Sequence, residues 1–176
     1  GKYAEAVEAY DGAIKGKANE LAKAWNSKGK ALYSQDKDDE ALNAYNESIR
    51  IDPNLTDAWC NKGIILDAQD KHDEAIKCFD EALRLDPQNI IKLSIYKGVS
   101  LYSQANYTEA IKCFEAAINT NPMFSQAYYG KGVVLEALNM TAEADAAFAK
   151  AKELEHEGYM KIEFDVDSPF YQKDLW

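Results

Sequence analysis

The string AWNSKGKAL at residues 24–32 returns as AWCNKGIIL at residues 58–66, and its echoes IYKGVSL and YYGKGVVL follow around Gly98 and Gly132. Gly29 and Gly63 stand 34 residues apart. A chain that copies a unit of this length buries the apolar face of each copy only against its neighbours, so the copies must stack.

More than the glycine recurs. Residues 22–55 carry Trp25, Gly29, Leu32, Ala41, Tyr45, Ser48 and Pro53, and residues 56–90 carry Trp59, Gly63, Leu66, Ala75, Phe79, Ala82 and Pro87. One inserted residue near Asn89 to Ile91 shifts the third unit, 91–124, which has Ser94, Gly98, Leu101, Ala110, Phe114, Ala117 and Pro122. The fourth, 125–158, has Tyr128, Gly132, Leu135, Ala144, Phe148 and Ala151, with His156 where the proline should be. Steps of four and three within each triplet line one face of an α-helix, so each unit predicts two helices. The polar links between them offer Asp, Thr or Asn as helix caps. Thr108 and Thr141 are expected in that role, which gives the Asn-x-Ser/Thr sequons at Asn106 and Asn139 a turn function. Asp-Pro or Asn-Pro then closes each unit but the last, because the residue before proline avoids the helical conformation. Gly29, Gly63, Gly98 and Gly132 are expected to pack against Ala41, Ala75, Ala110 and Ala144, with the aromatics filling the space around them as core.

On these residues the chain resembles the tetratricopeptide repeat family, in its archaeal and bacterial tandem form, over residues 1–158. It departs at Lys28, Lys62, Lys97 and Lys131, where the family often has Leu; a Lys stem can cover apolar surface while its ammonium stays in water. The resemblance implies an all-α, right-handed superhelical solenoid of antiparallel helix pairs. Residues 1–21 fit only the second helix of a unit, an expectation that makes the chain a piece of a longer array.

The resemblance also implies a concave face lined by the first helix of each unit, where peptides or helices of other proteins bind. The stripe one residue round from the core reads Lys23, Asn26, Lys30 and Tyr33, then Asp57, Cys60, Ile64 and Asp67, then Lys92, Ile95, Val99 and Tyr102, then Gln126, Tyr129, Val133 and Glu136. Ile64, Val99 and Val133 make its middle apolar. Either they form an exposed interaction strip or they pack between neighbouring first helices. One subgroup of the family holds the C-terminal carboxylate of a bound tail. Against its pattern Asn61 and Lys92 match, while Asn26, Lys30 and Tyr96 stand where Lys, Asn and Arg would be needed.

Charge and composition limit the partner. A net charge of −10 and a pI near 4.7 oppose nucleic acid and anionic membrane surfaces. No apolar stretch reaches the roughly 20 residues of a membrane span. Three cysteines, Cys60, Cys78 and Cys113, read as small apolar residues in a reducing compartment, which points to the cytoplasm. His72 and His156 stand apart, and neither metal-ligand spacing nor a phosphate-binding glycine loop occurs. The expectation is a non-catalytic, protein-binding chain without cofactor or metal. In residues 159–176, Ile162, Phe164 and Val166 alternate with Lys161, Glu163, Asp165 and Asp167, the period of an extended strand. Seven acidic and two basic residues from Glu153 onward supply half of the net charge. This tail either caps the array, leads onward, or docks on a repeat surface of its own or a neighbouring chain, which would make the protein a self-associating array.

Overall fold

The Asp-Pro and Asn-Pro steps do break the chain, and they do so with a recurrent turn. The computed structural model describes residues 2–156, with side-chain surroundings from 16 to 155; the expectations placed on 159–176 lie outside that range. It consists of α1 (Lys2–Tyr33), α2 (Asp38–Ile51), α3 (Thr56–Ala68), α4 (His72–Leu85), α5 (Ile90–Ser103), α6 (Tyr107–Thr120), α7 (Ser125–Ala137) and α8 (Thr141–His156), with a 3-10 turn at Pro87–Asn89. Asp52 and Asn121 are extended, and Asp86 lies close to them at φ −136° and ψ 85°. Each accepts a hydrogen bond on its side-chain oxygen from the backbone N–H two residues on, at Asn54, Gln88 and Met123, over 3.0–3.1 Å. An acid or amide therefore precedes each proline because it closes the turn the proline opens. The residue inserted in the third unit is absorbed where the 3-10 turn meets α5, which is one residue longer than α3 or α7.

Inside each hairpin the joint is made differently from the expected cap. Asp36, Asp70, Ala105 and Asn139 have φ of 56–58°, and at each the same two backbone bonds recur. In the first unit Lys37 N donates to Leu32 O at 3.1 Å and Asp36 N to Tyr33 O at 2.9 Å; the pairs Lys71–Leu66, Asn106–Leu101 and Met140–Leu135 repeat it. This is the C-terminal closure of the first helix by a left-handed residue. Lys37, Lys71 and Asn106 then precede the second helices without any side-chain cap bond, and Thr108 and Thr141 fall inside α6 and α8. The turn is fixed by main-chain bonds to the helix before it, and not by a side chain that caps the helix after it.

The N-terminal half unit is not set off. Helix α1 runs without interruption from Lys2 to Tyr33, because residues 15–22, KGKANELA, contain no Asp-Pro step. Gly16, within it, faces open space.

Each hairpin packs its two helices together and stacks on the next, giving an all-α solenoid of antiparallel pairs. Consecutive first helices, α1 with α3, α3 with α5 and α5 with α7, approach one another directly, whereas no such approach joins consecutive second helices among the described residues. Elements closer on one side than the other form a curved stack with the first helices inside.

The glycines make the tight contacts, and their nearest neighbours are the aromatic rings expected around them. A Cβ at Gly29 would lie 2.5 Å from Tyr45 Cε1, at Gly63 2.6 Å from Phe79 Cε1, at Gly98 3.0 Å from Phe114 Cζ and at Gly132 2.6 Å from Phe148 Cε1. Ala41, Ala75, Ala110 and Ala144 are buried, yet it is the ring of the second helix that lies against each glycine. A ring reaches further across the helix interface than an alanine methyl. Around these contacts one continuous cluster of buried residues runs from Cys60 to Val134, with smaller clusters at Ala41, Tyr45 and Ile65 and at Leu135, Ala144 and Ala147.

Candidate functional site

The inner stripe divides by burial. Lys23, Lys30, Asp57 and Glu136 are exposed; Tyr33, Ile64, Asp67, Lys92, Tyr102, Gln126, Tyr129 and Val133 are half-buried; Asn26, Cys60, Ile95 and Val99 are buried. The apolar middle is therefore not one open strip. Val99 is only 4% exposed and belongs to the main core, since neighbouring first helices close over it, while Ile64 and Val133 keep part of their surface.

Several candidates are already engaged in holding units together. Asn61 Nδ2 donates to Asn26 Oδ1 at 3.0 Å, tying the first two units. Tyr96 stacks on Phe79 of the unit before it, centroids 5.6 Å apart. Gly130, at the same repeat position, lies so close to the Phe114 ring that a Cβ would collide with it. One position thus faces the preceding unit and carries an amide, an aromatic ring or nothing. Of the five positions of the carboxylate-holding pattern, three (Asn26, Asn61 and Tyr96) are spent on this packing, and Lys30 and Lys92 remain.

These two lysines flank the same spot. Burial pushes the Cys60 thiol up to about 11; Lys92 opposes the shift, Asp57 adds to it and Lys30 opposes it, so both ammonium groups act on this thiol from the helices either side. Lys92 Nζ sits 5.6 Å from the Tyr96 ring centroid, and no ion pair holds Lys30 or Lys92 among the described residues. Other lysines differ. Lys97 bonds Asp80 at 2.6 Å and Lys131 bonds Glu115 at 2.7 Å, each reaching back to the preceding unit. Lys28 and Lys62 lie instead over Trp25 and Trp59, at 4.6 and 5.7 Å.

Further along the groove Tyr102 meets Tyr107 at 5.7 Å and Tyr129 meets Phe148 at 5.5 Å. Tyr102 and Tyr129 keep part of their surface open, while the cations of the stripe stand on α1, as Lys23 and Lys30, and on α5, as Lys92.

His72 is not isolated. Its Nδ1 lies 2.7 Å from Asp67 Oδ1, and the same oxygen accepts from Ser100 Oγ at 2.6 Å. Spacing in the sequence could not show this, because the three residues sit on α4, α3 and α5. The serine bonds the carboxylate and not the imidazole, so the group joins units and leaves no activated nucleophile. Among the described residues no group of three His, Cys, Asp or Glu could hold a metal, and no helix is long and apolar enough to cross a membrane.

Models of the tetratricopeptide repeat match residues 56–89 and 97–155, and a TPR repeat model matches 29–70. The chain is a tandem tetratricopeptide repeat protein. Solved structures with the same fold include MamA from Desulfovibrio magneticus RS-1, 26% identical with a TM-score of 0.70 over 78% of this chain and 77% of that one. A second MamA structure is 23% identical, with a TM-score of 0.74 over 87% and 88%. The first repeat domain of Spaghetti (RPAP3), bound to the HSP90 peptide SRMEEVD, is 21% identical, with a TM-score of 0.64 over 69% and 98%. No curated protein sequence matches the chain at a significant level.

Proposed function

We propose that this repeat protein is a non-catalytic scaffold that binds a peptide or helix of a partner protein along the face lined by α1, α3, α5 and α7. The observation that carries it is the asymmetry of the stack: among the described residues first helices touch and second helices do not, which curves the array around the inner stripe. That stripe offers Lys23 and Lys30 on α1 and Lys92 on α5, with Tyr33, Ile64, Tyr102, Tyr129 and Val133 beside and beyond them. A repeat domain of the same fold, Spaghetti (RPAP3), holds a peptide, which supports this use of the surface. The partner suited to it is a segment with carboxylates toward the first units and apolar anchors toward the last.

Selection from a library of random displayed peptides tests the reading. Peptides recovered on the native chain should lose at least tenfold in affinity to Lys30→Glu/Lys92→Glu and to Tyr102→Ala, by calorimetry. Peptides that bind these variants and the native chain equally would move the site off the inner face. A competing reading, a self-associating array joined through residues 159–176, draws support from Met123, Leu138 and Met140, apolar residues exposed near the last hairpin. Light scattering separates the two: mass that grows with concentration and reverts when 159–176 are deleted favours the array.

A further inference from the structure

The spread of the second helices opens a groove on the opposite face. Between α6, α7 and α8 it offers about 780 Å³ of open space over Ile111, Ile118 and Leu135, with the charged Glu115, Lys131, Glu143 and Lys150 also in its lining. Met140 and Ala146 line the α8 side, and at those two positions α8 departs from the repeat. Met140 stands where earlier units have Lys37, Lys71 and Asn106, and Ala146 where they have Asn43, Lys77 and Lys112. The polar and mostly cationic side chains of the earlier units are replaced by a thioether and a methyl. Met140 is left 40% exposed and nearby Leu138 39%.

The groove is largely apolar at the positions where α8 departs from the repeat, and the sequence directly after α8 has a pattern that could cover it. In residues 159–168 Ile162, Phe164 and Val166 alternate with Lys161, Glu163, Asp165 and Asp167, so an extended segment of this sequence would carry its apolar side chains on one face and its charged ones on the other. We propose that this segment of the same chain lies in the groove between α6 and α8, its apolar face on the groove floor and its charged face in water. The path is short. From His156 back to Ala146 is about 15 Å along the helix, a distance that about five extended residues cover. Attachment to the wall of its own site gives the segment an effective concentration that a separate copy would have to match, on the order of millimolar for a short flexible link. The proposal is independent of binding at the inner face, which uses the other side of the stack.

Hydrogen exchange on the full chain tests it. Amides of residues 161–167 should exchange at least tenfold more slowly than in a free peptide of the same sequence. Met140→Lys/Ala146→Lys, which restores residues of the earlier units at two exposed positions, should remove that protection while the helical circular dichroism signal is retained. Exchange at the free-peptide rate in the native chain, or protection unchanged in the variant, overturns the proposal. Protection that rises with protein concentration also overturns it, since the segment would then sit on another copy. Peptides selected on the inner face should bind the double variant as they bind the native chain, so the two readings fail separately.

Discussion

The junction between the first and second units and the junctions beyond it use the same repeat positions with different chemistry. At the first, Asn61 meets Asn26 through one amide hydrogen bond, and Lys62 lies on its own Trp59 because the position that could pair with it is Asn46. At the next two, Tyr96 stacks on Phe79 and Gly130 receives Phe114, while Lys97 and Lys131 reach Asp80 and Glu115. The main apolar cluster follows the second pattern, extending from Cys60 to Val134 and leaving Tyr45 in a smaller one. A repeat thus fixes the hairpin and leaves the attachment between hairpins open to change, so stability is graded along the array.

Removing a ring from the stronger junction should break the contrast most completely. Phe114 is fully buried between Gly98 and Gly130, and Phe114→Ala should cost about 3–5 kcal/mol in urea unfolding; the half-buried Phe148 should cost clearly less. Crowding one hairpin from within comes next. Gly63→Leu, set against Phe79, should lose about 1–3 kcal/mol, whereas Gly16→Ala, with nothing near it, should gain up to about 1 kcal/mol from helix propensity.

Alkaline pH acts selectively on the larger cluster, which contains Cys60 and Cys78. Both thiols are pushed up from 9.0 to about 11, chiefly by burial. The folded chain therefore holds these protons more tightly than the unfolded one, so the contribution is complete below pH 9 and is lost as pH rises toward 11. For Cys60 the loss at pH 10 should be roughly 1 kcal/mol, and Cys60→Ala should flatten the alkaline limb of stability against pH. The smallest expected effect would sharpen the contrast by erasing part of it. Asn46→Asp should give Lys62 the acid that Lys97 and Lys131 already have, and a double-mutant cycle with Lys62→Met should show a coupling of about 0.2–1 kcal/mol that fades in salt.

The sequence was legible where a pattern names its own geometry. Steps of three and four placed the helices, and Asp-Pro placed their ends. It was less legible where two neighbours fit one spacing. Gly63 faces a stripe that carries both Ala75 and Phe79, and that the ring comes nearest depends on its reach. Val99 could have lain open or closed, depending on how near the adjacent first helices come. The left-handed residues at Asp36, Asp70, Ala105 and Asn139 carried a weak signal, since none is the glycine that usually marks such a turn. In the candidate groove, the lysines and tyrosines could be named from the stripe, but which amides and rings were committed to packing depended on contacts between units.

Ala105 at φ 57° shows how little the hairpin joints ask of a side chain, since their hydrogen bonds come from the main chain. Two such joints one period apart are interchangeable ends, so a hairpin's length of sequence could be excised or duplicated between them with both seams closing as before. Only the residues facing across the new seam would need to match. Array length is then free to vary by whole cassettes, and with it the length of partner that the inner face can span.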